Sequence, residues 1–186
     1  MHHKYFENIE TNRLQLRQFH IEDIHSFFAY RSNPEVAKYQ SWENYRYEQA
    51  VSFVEDMSKS SPNISGSWFQ IAVALKESNV LIGDCAIHTL HSEPRIVEIG
   101  YTFATEYQGK GYAFEAVNEI LYYIFSILNK HKVMAYTDVR NISSINLLEK
   151  LGMRREGHLL QNFMSKGKWV DEYQYALLKS EWDTRK

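Results

Sequence analysis

The segment of residues 96–121, "IVEIGYTFATEYQGKGYAFEAVNEIL", changes its hydrophobic period in the middle. Its first part is rich in β-branched and aromatic residues, which predicts a strand. From Ala113 onward, apolar residues recur at spacings of three and four, as on one face of a helix. Gly109 and Gly111 lie between the two patterns and supply the backbone freedom of a turn. This succession requires a fold in which helices pack on a sheet.

The loop at the start of the predicted helix has the properties of an anion site. The first N–H groups of a helix have no intrahelical partner, and the helix dipole adds a partial positive charge there. Glycines allow these N–H groups to approach a ligand closely. The arrangement favours a phosphate or pyrophosphate, although a strand–helix turn without any ligand has the same pattern.

Three known motifs resemble this loop, and each departs from it at a fixed position. A Walker A loop needs Ser or Thr after Gly-Lys, whereas Lys110 is followed by Gly111. The dinucleotide fingerprint starts with Gly109 but has Phe114 in place of its third glycine. Residues 110–114, "KGYAF", match the start of an RNA-recognition signature that must lie on a strand, and the period here is helical.

Charge and composition exclude several classes of partner. The chain of 186 residues has 21 basic and 23 acidic residues, so it lacks the basic surplus of a nucleic-acid-binding protein. The longest apolar run, residues 120–128, is too short to span a bilayer, and the N-terminus lacks a secretory signal. The lone cysteine, Cys85, cannot form an internal disulfide or a zinc knuckle. We therefore expect a cytoplasmic protein with no metal and no nucleic-acid or membrane partner.

The predicted elements alternate between the two periods along one uninterrupted domain, residues 1–186. A strand in residues 13–19 precedes two helices, and three antiparallel strands follow between residues 67 and 103. After them come a helix, a strand, a second helix ended by Gly152, and a final hairpin. The predicted class is α+β (mixed α/β), with helices on both faces of a mixed sheet.

Two ordered motifs carry a resemblance to a known family. The strand "VEIGYTF", the loop "YQGKGYA" and the helix "FEAVNEIL" contain Q-x-x-G-x-A and resemble the acetyl-CoA-binding core of the GNAT N-acetyltransferases. Residues 140–157, "RNISSINLLEKLGMRREG", resemble the second signature of that family. Residues 9–19, "IETNRLQLRQF", are similar to the first strand of the RimJ/RimL ribosomal-protein branch. The resemblance implies a mostly antiparallel sheet of six to seven strands whose central strands splay apart.

The resemblance also implies an acetyl-CoA site. Its residues would be Tyr101, Thr102, Phe103 and Ala104 along the pantetheine arm, Gln108 at the loop entry, Gly109, Lys110, Gly111, Tyr112 and Ala113 around the pyrophosphate, and Asn141 and Ser144 beside the arm and the thioester sulfur. Gly100 would ease a bulge in the strand. Asn141 could equally cap the following helix, and these two roles are compatible.

Two residues are candidates for the catalytic groups. By the resemblance, Glu98 takes the position of a general base, although it could instead be a strand carboxylate that faces solvent or pairs with an arginine. Many family members have a tyrosine as the acid for the thiolate where this chain has Leu148. Ser144, or water beside it, could replace that tyrosine.

The acceptor is an amine in every enzymatic interpretation. An α-amino group has a reference pKa near 7.7 to 8.0 and a lysine side chain near 10.4, so weakly specified acid–base groups favour a protein or peptide N-terminus. Acidic residues lining the cleft would instead favour a polyamine or an aminoglycoside. A catalytically silent acyl-CoA-binding module is the alternative from another class, because Leu148 stands where many family members have the acid tyrosine.

The aromatic residues near the first helices could line the acceptor side, fill the core or contact a partner in a homodimer: Tyr30, Tyr39, Trp42, Tyr45 and Tyr47.

Overall fold

The structure, a computed structural model, describes residues 6–185, so residues 1–5 and 186 of the predicted domain lie outside it. Within residues 6–185 the chain forms eight strands: β1 Ile9–Glu10, β2 Leu14–Arg17, β3 Trp68–Leu75, β4 Leu81–Thr89, β5 Ile96–Phe103, β6 Lys132–Asp138, β7 Arg154–Ser165 and β8 Lys168–Leu178. The same residues form six α-helices: α1 Ile24–Arg31, α2 Pro34–Ala37, α3 Tyr47–Met57, α4 Tyr112–Tyr122, α5 Ile142–Lys150 and α6 Lys179–Asp183.

The described strands form one sheet in the order β1-β2-β3-β4-β5-β6-β8-β7. The pairing of β5 with β6 is parallel, and the other neighbours are antiparallel. The predicted mixed, mostly antiparallel sheet is therefore confirmed, but the count of six to seven strands was too low. Strand β1 was missed because its two residues are too short to show an alternating pattern.

Helices cover both faces of the sheet, as predicted. Successive side chains of a strand point to opposite faces. In β3, Ile71 and Val73 pack in the cluster that contains the apolar residues of α4 and α5, whereas Ala72 packs with α1 and α3. The sheet is thus the middle layer between two helical layers.

The end of α5 has the hydrogen bonds of a Schellman motif. Gly152 has a φ of +70°, and its N–H donates to the carbonyl of Glu149 over 2.9 Å. The N–H of Met153 donates to the carbonyl of Leu148 over 3.0 Å. These bonds satisfy the last carbonyls of the helix, so the predicted stop at Gly152 is confirmed.

Candidate functional site

A cleft opens in the middle of the sheet where β5 and β6 separate. Their pairing runs from Ile96↔Lys132 to Glu98↔Met134 and goes no further. Beyond Glu98 the strands diverge around a cleft of about 130 Å³, whose walls include Gly100, Tyr101 and Tyr136. The splayed central strands that the family resemblance implied are confirmed, and the cleft follows from the backbone itself.

The edge of β5 that faces this cleft has main-chain groups free to bind a ligand. The N–H of Ala104 donates to Ile82 over 2.9 Å, and the N–H of Leu90 donates to Ile96 over 3.1 Å. Hydrogen-bonded pairs alternate along an antiparallel ladder, so the N–H and C=O groups of Ile99 and Tyr101 point away from β4. Since β6 has left the ladder there, an extended ligand can pair with this edge.

The bulge predicted at Gly100 is wrong. The register between β4 and β5 runs continuously through Ala86↔Gly100. The gap in the sheet forms because β6 diverges from β5, and not because β5 contains an extra residue. Gly100 lies in the wall of the cleft, where it presents no side chain.

The wall formed by β5 and the start of α5 carries hydroxyl groups. The oxygens of the Tyr101 and Ser144 side chains lie 2.8 Å apart and share a hydrogen bond. Burial raises the pKa of the Tyr101 phenol, so the phenol stays protonated and can donate a hydrogen bond. The side chain of Asn141 accepts from the N–H of Ser144 over 3.2 Å and also lines the cleft. Asn141 therefore caps α5 and remains in reach of a ligand.

Leu148 does not lie in the cleft wall. Its side chain is 0% exposed and packs in the core below α5. The aromatic hydroxyl in this wall of the cleft comes from Tyr101 on β5, next to that of Ser144. The sequence indicated Tyr101 only as a contact of the pantetheine arm.

The loop before α4 has the backbone conformation of an anion cradle. Gly109 has a φ of +71° and Gly111 a φ of +82°, both in the left-handed region. Gly111 is the N-cap of α4, which begins at Tyr112. The side chain of Gln108 donates to the carbonyl of Phe103 over 2.8 Å, so it fixes the loop to the end of β5.

Arg13, in the turn between β1 and β2, braces this loop together with Glu115 of α4. The Arg13 guanidinium donates to the Glu115 carboxylate over 2.7 Å and to the carbonyl of Lys110 over 3.1 Å, and it lies 4.3 Å from the Tyr112 ring centroid. Burial alone would raise the pKa of Glu115, but hydrogen bonds from Thr11 and Arg13 lower it. Sequence reasoning missed Arg13 as a site residue, although it lies in the "TNRL" stretch that carried the family resemblance.

Acidic groups lie on the other side of the cleft. Glu172 of β8 lines it, and Glu98 lies where β5 and β6 separate, with 28% of its side chain exposed. Burial raises the pKa of Glu98; His88 lowers it and Glu172 raises it further. Among the described residues, His88 is the one basic group within 4.0 Å of the Glu98 carboxylate. Glu98 is therefore neither fully exposed nor paired with an arginine.

The predicted aromatic group divides between the cleft and the core. Tyr39 lines the cleft. Tyr30 donates to Asp84 over 2.5 Å, and Trp42 lies over the guanidinium of Arg31, which pairs with the same carboxylate. These two rings thus enclose a buried ion pair beneath the helices.

Membrane-spanning helices and metal-binding clusters are both absent from residues 6–185. No helix there is long and apolar enough to cross a membrane. The same residues contain no group of three or more His, Cys, Asp or Glu side chains that could hold a metal ion.

Comparison with known proteins gives consistent matches. The profile of the family "Acetyltransferase (GNAT) domain", the RimJ/RimL-type family, matches residues 13–154. The uncharacterised N-acetyltransferase YnaD of Bacillus subtilis is 35% identical over 95% of this chain and 99% of its own. The spermidine N(1)-acetyltransferase of Vibrio cholerae is 29% identical over 95% of this chain and 98% of its own. The ribosomal protein uS5-alanine N-acetyltransferase of Escherichia coli is 32% identical but matches 45% of this chain and 43% of its own.

Solved structures give the same result. A GNAT-family acetyltransferase from Bacillus anthracis has a TM-score of 0.85 and 31% identity, covering 94% of this chain and 100% of its own. The spermidine N-acetyltransferase of Vibrio cholerae, solved with CoA and spermine, has a TM-score of 0.79 and 25% identity, covering 94% and 100%. The similarity to the RimJ/RimL-type branch is thereby confirmed, and this chain belongs to the GNAT family of N-acetyltransferases.

Proposed function

We propose that this protein transfers the acetyl group of acetyl-CoA to a primary amine of a small polycationic acceptor. The observation that carries the proposal is the cleft between β5 and β6, which has the hydroxyl groups of Tyr101 and Ser144 on one wall and the carboxylate of Glu172 on the other. Glu98 lies next to this cleft, where the two strands separate. Family membership supports the transfer reaction and disfavours the silent-module alternative. The identities of the cosubstrate and of the acceptor amine are the two parts of this function that we propose.

The residues present fit acetyl-CoA. GNAT enzymes use it, and CoA is bound in the solved spermidine enzyme. In the proposal, the free edge at Ile99 and Tyr101 pairs with the pantetheine arm, and the amides of residues 109–113 receive the pyrophosphate. Arg13 adds a positive charge beside that loop. Acetyl-CoA supplies an activated thioester when it is bound.

The two walls of the cleft suit the two proton transfers that the reaction needs. An ammonium group must lose a proton before nitrogen can attack a carbonyl carbon, and Glu98 is the proposed acceptor of that proton. The leaving thiolate needs a proton, and the hydrogen-bonded pair of Tyr101 and Ser144 is the proposed source. This pair would replace the tyrosine that the family often has at the position of Leu148.

The charge of the cleft favours an acceptor with more than one positive charge. Among the described residues, neither Glu98 nor Glu172 has a lysine or arginine within 4.0 Å. Burial raises the pKa of Glu98, His88 lowers it, and the negative charge of Glu172 raises it, so the two carboxylates repel each other. A cationic ligand would relieve that repulsion. The spermidine enzyme that matches nearly the whole chain is consistent with this chemistry.

A protein N-terminal α-amine is the second candidate. Its reference pKa near 7.7 to 8.0 makes it easier to deprotonate than a lysine side chain near 10.4. The relative that acts on ribosomal protein uS5 supports this candidate over less than half of the chain. An α-amine carries one positive charge and requires one carboxylate, whereas a polyamine can bind to both Glu98 and Glu172.

The deciding experiment measures release of free CoA with a panel of amines. The panel contains spermidine, spermine, an aminoglycoside, a simple monoamine and peptides with free N-termini. We expect the highest kcat/KM with spermidine or spermine, and we expect Glu172→Gln to raise KM for spermidine more than for the monoamine. Glu55→Gln removes the same charge from an exposed position on α3 and is the control. A preference for peptides would favour the second candidate, and tight CoA binding without any release would contradict acetyl transfer.

A further inference from the structure

His88 and Glu98 are direct neighbours across the centre of the sheet. They form the register pair His88↔Glu98 between β4 and β5. Nδ1 of His88 lies 3.9 Å from Oε2 of Glu98. The sequence motifs of the family did not draw attention to His88, because it lies outside the stretch that resembles the acetyl-CoA-binding core.

The imidazole of His88 is held firmly but has an unused nitrogen. The ring stacks on Trp68 with a centroid distance of 4.8 Å and an interplanar angle of 15°. Nδ1 is buried and has no hydrogen-bond partner among the described residues. A buried polar atom without a partner is costly, so it needs an explanation. The carboxylate of Glu98 is the group that could become its partner after a shift of about 1 Å, since catalytic hydrogen bonds are often long before the substrate binds.

We propose that His88 is a positioning residue that holds Glu98 in the cleft and relays the proton that Glu98 takes from the acceptor amine. This inference rests on the proposed function, because it extends the role of Glu98 as the base. His88 would act through Glu98 and would not touch the substrate.

The proton balance of the relay is complete. The ammonium group of the acceptor gives one proton to the Glu98 carboxylate and becomes a neutral amine. The protonated carboxyl then gives this proton to Nδ1 of His88, and the resulting imidazolium releases a proton from Nε2 to water. Proton exchange with water returns the ring to the tautomer in which Nδ1 is an acceptor before the next turnover. The amine nitrogen forms its bond to the acetyl carbon as the carbon–sulfur bond breaks. The Tyr101–Ser144 pair gives a proton to the leaving thiolate, and the second nitrogen proton passes to that pair and restores it. One proton per turnover therefore reaches solvent.

The groups that face this pair come from every neighbouring strand. Trp68 of β3 covers the imidazole, Tyr136 of β6 lies near Glu98, and Glu172 of β8 faces it from across the cleft. Burial raises the pKa of the Tyr136 phenol, and the charges of Glu98 and Glu172 raise it further. Among the described residues, His88 is thus the basic group that lies within 4.0 Å of the Glu98 carboxylate.

The test compares His88→Asn, His88→Gln, Glu98→Gln and the double variant His88→Asn with Glu98→Gln. Asparagine keeps a polar group near the position of Nδ1 but cannot relay a proton. With acetyl-CoA and spermidine as probes, we expect each single variant to lose roughly 10²-fold in kcat. We expect the double variant to lose no more than the worse single variant, because residues that act as a unit are not additive. His158→Gln disrupts another histidine–carboxylate pair, with Asp171, and is the control.

A second measurement does not depend on turnover. Carbon-13 NMR follows the titration of the Glu98 carboxyl in the wild type and in His88→Asn. Because His88 lowers the pKa of Glu98, its removal should raise that pKa. An unchanged Glu98 pKa, an active His88→Asn variant, or losses that multiply in the double variant would each overturn the inference. If the wild type acetylates no amine, the proposed function fails, and the NMR titration still decides the coupling of the pair.

Discussion

Nε of Arg13 donates to Oε2 of Glu115 over 2.7 Å, which joins the start of the sheet to the first turn of α4. The same guanidinium donates to the carbonyl of Lys110 in the glycine loop. Thr11 donates to the other carboxylate oxygen over 2.5 Å. The residues that would hold the cofactor phosphates are therefore positioned by the turn between β1 and β2.

We expect Arg13→Ala to weaken CoA binding roughly tenfold, since the loop loses a brace and a charge, and charge-assisted hydrogen bonds are strong. Isothermal titration with CoA measures the change. Turnover with acetyl-pantetheine, which has no pyrophosphate, is the control and should keep its wild-type kcat/KM. Arg13→Lys should recover part of the affinity, because lysine keeps the charge but not the forked geometry. If Arg13→Ala lowered kcat/KM equally with acetyl-CoA and with acetyl-pantetheine, the effect of the substitution would not arise from binding of the pyrophosphate at the loop.

Gly111→Val should abolish the thermal stabilisation that CoA gives. Valine is strained at a φ of +82°, and its Cβ would meet Nη2 of Arg13 at 3.4 Å. Differential scanning fluorimetry with and without CoA checks this. Gly167→Val is a matched control, because Gly167 has a φ of +75° in the turn between β7 and β8. It should lower the melting temperature but leave the shift caused by CoA; if Gly111→Val also leaves that shift, the loop does not hold the cofactor.

Glu98→Gln should slow turnover roughly 10²- to 10⁴-fold and stabilise the fold at neutral pH. Burial raises the pKa of Glu98, so its ionised form destabilises the folded state. This cost appears as the pH rises through the raised folded pKa and vanishes below the unfolded value. The melting temperature of Glu98→Gln should therefore exceed that of the wild type at pH 8, and the two should converge near pH 4. A constant difference across that pH range would contradict the burial of an ionised Glu98 as its cause.

Tyr101→Phe should lower kcat by roughly tenfold to a hundredfold while leaving KM for acetyl-CoA nearly unchanged. The change removes a hydroxyl that is hydrogen-bonded to Ser144, but it keeps the ring that packs against the core. Rapid-quench measurement of the acetyl transfer step checks the effect on chemistry. Tyr122→Phe, at an exposed position on α4, is the control. An unaltered kcat would assign proton donation to Ser144 or to water beside it.

The sequence predicted the strand, glycine loop and helix well, because their signals are local. The positive φ angles of Gly109 and Gly111, and the stop at Gly152, follow from what glycine alone adopts easily. The separation of β5 from β6 was available only through the family resemblance, since no local pattern encodes where two strands part. The bulge at Gly100 was a wrong local explanation for that separation.

The residues that sequence reasoning missed act over long range. Arg13 reaches Glu115 from a distant part of the chain, and His88 meets Glu98 only when β4 pairs with β5. Helices α2 and α6 were missed because four and five residues are too few to show a helical period. The cytoplasmic location and the homodimer remain predictions from the sequence.

The short pairing of β5 with β6 divides the sheet into two half-sheets. Three register pairs, Ile96↔Lys132, Val97↔Val133 and Glu98↔Met134, join strands β1–β5 to strands β6–β8. A ligand extended along the free edge of β5 would lie where the next strand is missing, as an added strand does in β-augmentation. The cosubstrate would then be a structural member of the sheet as well as a reactant. Release of the thiol product would remove this added strand. The centre of the sheet would therefore become more rigid when the cosubstrate binds and less rigid when the product leaves, once in each catalytic cycle.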